Sequence, residues 1–219
     1  MLTLSGWAQP SDAVARAIAP EAAWFDYSAY PNAAASFEAL HTFREHEHVI
    51  GWSMGGQLAL RAIAAGVLRP RKLTLIAAPY QFVRTPSLAQ AMDTLTFTTF
   101  RENYVTDPER TAGRFHALVA KGDARFREVM SGLSHHAQVL DTGRWLPWLD
   151  DLGATSLAGL DLTAVPETSI IHGTHDAIVP IAQAQLLADA IPSARIERWE
   201  GVAHAPHLHD ATRLRELLA

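Results

Sequence analysis

The sequence predicts an α/β protein with a mostly parallel sheet of about six strands, helices on both faces and an inserted helical lid. Short apolar runs alternate with amphipathic helix-like segments, which is the pattern typical of a parallel sheet covered by helices. This alternation stops in the middle of the chain, where only helix-like segments occur. With 219 residues, the chain is long enough for about one domain with a sizeable core.

Residues 1–81 are predicted to form the first part of the core. Each strand in this part is a short apolar run, and a helix-like segment follows most of them. The predicted strands are Leu2–Leu4, Trp24–Tyr27, His48–Trp52 and Lys72–Ala77. The predicted helices are Asp12–Ile18, Ala33–Phe43 and Met54–Ala65.

Residues 82–155 are predicted to form the inserted helical lid, placed over one end of the sheet. Its predicted helices include Leu88–Phe97, Pro108–Ala120 and Ala124–Ser134. Strand character resumes in residues 156–219, the second part of the core. The predicted elements there are the strands Thr168–His172 and Arg195–Trp199 and the helices Ile181–Ala190 and Ala211–Leu218.

The most informative motif is Gly51-Trp52-Ser53-Met54-Gly55, which lies between a predicted strand and a predicted helix. A Cβ atom at Gly51 or Gly55 would collide with a neighbouring strand or helix in such a tight turn. The turn presents the serine hydroxyl at a helix N-terminus, where free amides favour developing negative charge. The motif predicts that Ser53 is a catalytic nucleophile. The alternative is a buried serine in a chance match.

Asp176 and His204 are the predicted acid and base that accompany Ser53. Each lies in a loop directly after a predicted strand, and the carboxyl ends of parallel strands meet at one edge of a sheet. The order serine, acid, histidine is the one this type of sheet uses. The alternatives are a helix cap for Asp176 and a surface loop for His204. Asp150 and Asp151 are rival acids, but no predicted strand precedes them.

A negatively charged reaction intermediate also requires hydrogen-bond donors. The first predicted strand ends in the turn Ser5-Gly6-Trp7, which we expect to pass beside the serine motif. The backbone amides of Trp7 and Met54 are therefore the predicted donors of the oxyanion hole.

With these motifs the chain resembles an α/β-hydrolase and, within that superfamily, the methyl ester esterases that act on pimeloyl-acyl-carrier protein in biotin synthesis. The segments that match are Ser5–Trp7, Gly51–Gly56, Leu73–Ala78, Asp176–Pro180 and Gly201–Pro206. The resemblance implies a serine carboxylesterase that forms an acyl-enzyme, needs no cofactor and takes a small acyl ester. One departure is Ser5, which stands where the family usually has histidine and leaves open how the oxyanion loop is braced.

Other activities occur on the same fold with the same three residues, because a fold does not determine a reaction. Thioester, lactone and carbon–carbon bond hydrolysis and perhydrolysis are the enzymatic alternatives. A receptor that binds a ligand without catalysis and signals through its lid is an alternative of a different class.

The predicted lid contains a run of basic residues and a run of apolar ones. The basic residues form either a solvated helix face or, as the resemblance implies, a dock for an acidic acyl-carrier protein. They are Arg110, Arg114, Lys121, Arg125 and Arg127. The apolar run either lines an acyl pocket or anchors the lid, and we favour anchoring for at least some of its members. It contains Trp145, Pro147, Trp148 and Leu149.

The composition of the chain excludes several other classes of function. The net charge of −5, without a long basic run, argues against nucleic-acid binding. The absence of cysteine excludes disulfides, thiolate catalysis and cysteine-bound metals. The sequence has no signal-peptide pattern, so we expect a cytoplasmic protein. It has no apolar run of about 20 residues, so we expect no membrane partner. We also expect a monomer. We interpret the clustered histidines as loop residues rather than metal ligands; they are His172, His175, His204, His207 and His209.

Overall fold

A computed structural model describes residues 1–133 and 141–218. The strands are β1 (Leu2–Leu4), β2 (Ala23–Trp24), β3 (His48–Trp52), β4 (Lys72–Ile76), β5 (Glu167–Gly173) and β6 (Ala194–Trp199). They form one sheet in the order β2-β1-β3-β4-β5-β6, and each neighbouring pair is parallel. The prediction of a mostly parallel sheet of about six strands is confirmed.

Helices connect the strands, as parallel pairing requires. They are α1 (Ala13–Ile18), α2 (Ala33–Leu40), α3 (Met54–Ala64), α4 (Thr94–Thr106), α5 (Pro108–Val119), α6 (Phe126–Leu133), α7 (Thr142–Ala154), α8 (Ala182–Ala190), α9 (Pro206–His209) and α10 (Ala211–Leu218). Helices α1, α9 and α10 contact one another, α3 packs on β1, β3 and β4, and α8 packs on β5 and β6. Among the described helices, none is long and apolar enough to cross a lipid bilayer.

The centre of the core is the inner part of the sheet. Ile50 of β3, Leu75 of β4 and Ile170 of β5 are completely buried. Strands that are covered on both faces read as continuous apolar runs rather than as alternating patterns. That is why these strands stand out in the sequence.

Two predicted elements have different limits in the structure. The predicted helix Leu88–Phe97 is wrong in its first half, because α4 begins only after Asp93. The Asp93 carboxylate accepts hydrogen bonds from the amides of residues 95 and 96, at 2.9 and 3.1 Å, and so starts the helix there. The predicted strand Trp24–Tyr27 is shifted, since β2 ends at Trp24 and a 3₁₀ turn begins at Tyr27.

The helices α4 to α7 lie between β4 and β5 in the chain, in the region predicted as a lid. The residues at its two ends meet, because Gln81 and Ser156 form an isolated antiparallel bridge. The amide of Leu157 also donates to the carbonyl of Tyr80 at 3.0 Å. The division into two core parts and a lid stays a prediction, and the predicted helix end at Ser134 lies outside the described residues.

Helix α7 is fixed to the core by its aromatic side chains. The indole of Trp148 donates to the carbonyl of Tyr30 at 3.0 Å, and the carbonyl of Trp145 accepts from the indole of Trp7 at 2.9 Å. Both tryptophans and Leu149 are buried, whereas Pro147 is exposed. Three members of the apolar run therefore anchor the helix.

Candidate active site

Ser53 occupies the tight turn between β3 and α3. Its backbone has φ 53° and ψ −122°, which lies in a region that non-glycine residues rarely adopt. A Cβ atom at Gly51 would lie 2.5 Å from the Cα of Gly56, and one at Gly55 would overlap the carbonyl oxygen of Leu4. Glycine at these two positions therefore lets the turn close against both α3 and β1.

Ser53, His204 and Asp176 form one chain of hydrogen bonds. The Oγ atom of Ser53 lies 2.9 Å from Nε2 of His204, and Nδ1 of His204 lies 2.7 Å from Oδ2 of Asp176. The histidine and the aspartate side chains are buried, and Ser53 is only 6% exposed. Ser53 follows β3, Asp176 follows β5 and His204 follows β6. The sheet topology therefore brings together groups that are up to 151 positions apart.

The carboxylate of Asp176 is held as an anion by its surroundings. Its Oδ1 atom accepts from the amides of Ile178 and Val179, at 2.9 and 2.8 Å. Burial acts to raise the pKa of Asp176, but the charge of His204 and hydrogen bonds from His172 and His204 outweigh it. The pKa of this carboxyl group therefore lies well below its usual range. Asp176 therefore faces His204 and also holds its own loop, whereas the alternative of a helix cap is wrong, because α8 begins only at Ala182 and its N-cap residue is Ile181.

His172 is a neighbour of this site that sequence reasoning did not single out as a partner of Asp176. It is completely buried in β5, and its Nε2 atom lies 2.8 Å from the carbonyl oxygen of Val179 and 3.3 Å from Oδ2 of Asp176. The available signal was a single histidine in an apolar strand, four positions before the acid. His172 and His204 therefore both face the Oδ2 atom of Asp176.

The loop that contains Trp7 is braced by the hydroxyl groups of Ser5 and Tyr27. Ser5 Oγ donates to the carbonyl of Ser11 at 3.0 Å, and the hydroxyl of Tyr27 donates to the carbonyl of Ser5 at 3.0 Å. Burial first, and then the charges of Asp26 and Asp151, raise the pKa of Tyr27 well above its usual value, so it remains a donor. Ser5 and Tyr27 together therefore brace this loop.

The side chain of Trp7 points into the inserted helices. Its ring makes edge contacts with Phe100, Tyr104, Phe115 and Trp145, with centroids 5.0–6.4 Å apart. Its backbone belongs to a turn that the amide of residue 9 closes on the carbonyl of residue 6 at 3.3 Å. The aromatic cluster therefore fixes the loop that carries one of the two predicted oxyanion donors.

The second predicted donor is the amide of Met54. Met54 is the first residue of α3, where the helix itself offers no acceptor for the amide. Leu4 is paired with Gly51 across β1 and β3, so the end of β1 lies beside the turn of Ser53. The assignment of the Trp7 and Met54 amides to an oxyanion hole stays a prediction.

Trp52 and His207 form a second layer behind the site. The indole of Trp52 donates to the carbonyl of His204 at 2.9 Å, and its ring centroid lies 4.4 Å from that of His207. His207 is buried, and neither ring nitrogen has a hydrogen-bond partner among the described residues. Trp52 and His207 both border a cavity of about 240 Å³.

The rival acids are engaged elsewhere. Asp150 pairs with Arg101, and Asp151 accepts two hydrogen bonds from Arg61 at 2.6 and 3.1 Å. Both aspartates lie on α7 rather than after a strand.

The five basic residues of the insertion are exposed. Asp123, the acidic residue among them, faces inward with a completely buried side chain. The surface of residues 110–127 therefore presents cations without a compensating carboxylate from the same segment. Arg125 also donates to the carbonyl of His209 at 2.8 Å.

The clustered histidines have separate environments, and the interpretation of all five as loop residues is wrong, because His172 lies in β5 and His207 and His209 lie in α9. His175 Nδ1 lies 2.9 Å from the carbonyl oxygen of Gly122, and His209 Nδ1 lies 2.6 Å from Asp123 Oδ1. Within residues 1–133 and 141–218, no group of three histidine, aspartate or glutamate side chains is arranged to hold a metal ion.

Comparisons with known proteins agree with the geometry. Residues 3–217 match the alpha/beta hydrolase family. The chain is 35% identical over 170 residues to the pimeloyl-acyl-carrier-protein methyl ester esterase of Aromatoleum aromaticum, covering 73% of this chain and 67% of that protein. It is 31% identical over 168 residues to the protein of the same name from Nitrosomonas europaea, covering 73% of this chain and 65% of that protein. The match therefore spans about two thirds of the length of these relatives.

A solved structure shares the same architecture. The esterase EaEST from Exiguobacterium antarcticum superposes with a TM-score of 0.80 at 18% identity, covering 99% of this chain and 89% of the other. At this identity the likeness concerns the fold alone. The resemblance inferred from the sequence motifs is confirmed. The chain belongs to the alpha/beta hydrolase family.

Proposed function

We propose that the protein is a serine carboxylesterase. The observation that carries the proposal is the continuous hydrogen-bonded chain from Ser53 through His204 to Asp176. This arrangement of nucleophile, base and orienting acid activates a hydroxyl that is a weak nucleophile by itself. The esterase names of the relatives support the same reaction class.

The reaction begins with proton transfer from Ser53 Oγ to Nε2 of His204 while Oγ attacks the ester carbonyl carbon. The amides of Trp7 and Met54 hold the negatively charged oxygen of the tetrahedral intermediate. The carbon–oxygen bond to the alcohol then breaks, and His204 returns the proton to the departing alcohol. Water attacks the acyl-enzyme with His204 as the base and releases the acid and free Ser53.

Asp176 supports both halves of this cycle. As an anion it accepts the Nδ1 hydrogen of His204, which leaves the lone pair on Nε2 directed at Ser53. It also stabilises the imidazolium that forms when His204 takes a proton. The depressed pKa keeps this carboxylate charged throughout the neutral and mildly acidic range.

The substrate class that we propose is the methyl ester of a pimeloyl group carried by acyl-carrier protein, in the cytoplasm. Relatives of this name match 73% of the chain. The exposed basic residues of the insertion offer a surface of the sign that an acidic carrier requires. No cofactor is part of this chemistry. We expect a monomer to be sufficient, because the proposed site is contributed by one chain.

Labelling with a fluorophosphonate tests the nucleophile. We expect one equivalent to attach to the wild-type protein and none to Ser53→Ala, since the probe reacts with an activated serine. Ser11→Ala, at another described serine, is the matched control and is expected to label like wild type. An unlabelled wild-type protein would remove the proposed mechanism and favour a receptor without catalysis, whereas a labelled Ser53→Ala would show that the nucleophile is another residue.

Substrate competition tests the reaction class. We expect the ratio kcat/KM to be greater for a methyl ester of pimelate than for a matched thioester or lactone. A higher value for the thioester or the lactone would keep the nucleophile but change the reaction.

A further inference from the structure

Asp123 lies in the turn between α5 and α6, yet its carboxylate is directed at the loop that carries His204. Its Oδ2 atom accepts from the amide of Ala203 at 2.8 Å, one residue before His204. Its Oδ1 atom accepts from Nδ1 of His209 at 2.6 Å and from the amide of Arg125 at 2.7 Å. The side chain is completely buried, so its position is determined by these three donors.

The turn around Asp123 makes further backbone contacts with the same loop. The amide of His204 donates to the carbonyl of Val119 at 3.1 Å, and the amide of Ala124 donates to the carbonyl of Gly201 at 2.9 Å. The backbone of His204 is thus held on its amide side by the insertion. Its carbonyl is held from the core by the indole of Trp52.

The loop that carries Asp176 is tied to the same turn. Nδ1 of His175 donates to the carbonyl of Gly122 at 2.9 Å, and the amide of His175 donates to the carbonyl of Val202 at 2.9 Å. The segment 119–124 of the insertion therefore contacts the loops of both residues that assist Ser53. These loops otherwise belong to separate strand ends.

We propose that Asp123 is a positioning residue for His204, and that segment 119–124 is a fixed part of the active site rather than a moving part of a lid. This inference rests on the proposed serine hydrolysis. Asp123 does not touch Ser53 or the ester. It acts by fixing the amide of Ala203, and with it the distances from His204 to Ser53 and Asp176.

A buried carboxylate is costly unless donors surround it, and its loss leaves those donors unpaired. Removal of Asp123 leaves the buried amide of Ala203 without its acceptor. The loop then relaxes, and a misplacement of about 1 Å at a catalytic group lowers turnover by about a hundredfold.

The test compares Asp123→Ala and Asp123→Asn with wild type, using a small p-nitrophenyl ester. Fluorophosphonate titration gives the concentration of competent sites, so kcat is expressed per labelled site. We expect kcat to fall about a hundredfold for Asp123→Ala and about tenfold for Asp123→Asn, which retains one acceptor oxygen. KM should change little, because the surfaces that bind the ester are untouched.

Asp107→Ala is the matched control. Asp107 is an exposed aspartate that caps α5 by accepting from the amide of Arg110 at 3.1 Å. Its removal weakens the same insertion without a contact to the His204 loop. We expect a lower urea midpoint but wild-type kcat per labelled site.

Wild-type kcat per labelled site in either Asp123 variant would overturn the inference, and Asp123→Asn decides it alone if Asp123→Ala does not fold. An equal fall in Asp107→Ala would also overturn it, because stability would then explain the loss. If the wild-type protein is neither labelled nor able to hydrolyse the ester, the proposed function itself is wrong, and this outcome differs from a failure of the inference about Asp123.

Discussion

At the scale of single residues, the most useful contrast is between buried groups that have partners and one that has none. Asp176 and Asp123 are buried carboxylates whose donors all come from the backbone or from histidines. His207 is equally buried, but neither of its ring nitrogens has a partner in the described part of the chain. The donors around the aspartates offset the cost of burying their charge, whereas no hydrogen-bond partner offsets the cost of burying a charged His207.

The stability of the protein should depend on pH through His207. Burial, and secondarily the charge of His204, lowers the pKa of His207 from 6.5 to about 3. Between these values the unfolded chain binds a proton that the folded protein does not, so the free energy of unfolding falls as the pH falls. In wild type, this proton lowers the free energy of unfolding by up to about 1.4 kcal/mol for each pH unit. We expect His207→Phe to abolish this contribution.

Urea unfolding from about pH 7 to about pH 4 checks this expectation. The exposed His41 provides the control, since His41→Phe should leave the wild-type pH dependence intact. Parallel stability curves for wild type and His207→Phe would contradict the assignment of a buried, neutral His207.

The residues that the sequence identified are those that a local pattern marks. Ser53 lies between two glycines in a tight turn, and Asp176 and His204 each follow a strand that the sequence predicts. Asp123 and His172 have no such pattern around them. Their roles come from partners elsewhere in the chain, such as Ala203, which is 80 positions from Asp123.

At the scale of secondary-structure elements, the contact between β1, β3 and α3 decides whether the active-site turn forms. Gly55, in the first turn of α3, packs against the carbonyl groups at the end of β1. This contact brings the loop of Trp7 next to the turn of Ser53. The alignment of these elements is therefore both a packing feature and a condition for chemistry.

Gly55→Ala should destabilise the protein by about 1–3 kcal/mol, because the new methyl group overlaps the backbone of Leu4 and Ser5. Gly113→Ala is the matched substitution in α5, where the added Cβ meets open space. It should stabilise the protein by about 0.5–1 kcal/mol, since alanine favours the helix. Urea midpoints measure both changes. A Gly55→Ala protein as stable as wild type would show that the elements tolerate a wider spacing.

The limits of the central strands were predicted more accurately than the start of α4 in the insertion, because burial determines the composition of these strands. β3 and β4 are buried on both faces, so their composition is set by burial alone. The start of α4 is set instead by the Asp93 cap and by the pairing of Met92 with Phe82 across a loop, with N–O distance 3.0 Å. Long-range pairing of this kind leaves no periodic pattern in the sequence.

At the scale of the whole molecule, one segment of the surface carries side chains opposite in sign to the net charge. The net charge is −5, but the exposed charged side chains of residues 110–127 are basic, because Asp123 is buried. An acidic carrier would therefore meet the field of these basic side chains, which the exposed Glu109 and Glu128 flank. Such fields act mainly on the rate of encounter.

Charge reversal separates docking from chemistry. The measured quantity is kcat/KM for a carrier-linked ester divided by kcat/KM for a free ester. We expect the double variant Arg110→Glu with Arg114→Glu to lower this ratio about tenfold at low salt. Arg69→Glu with Arg71→Glu makes the same change in net charge at exposed residues before β4 and should preserve the ratio. The effect should weaken as salt is added. Equal ratios for the two double variants would leave the basic surface without a role in docking.

The hydrogen bond between Ser53 and His204 joins residues 151 positions apart, and this has a consequence in time. A ribosome adds the base 151 residues after the nucleophile. Every nascent chain that ends before His204 holds a serine with no proton acceptor, however well β1, β3 and β4 have paired. On the proposed mechanism, the growing polypeptide therefore hydrolyses no ester before His204 has been added. Its chemistry begins only when the loop of His204 reaches the sheet.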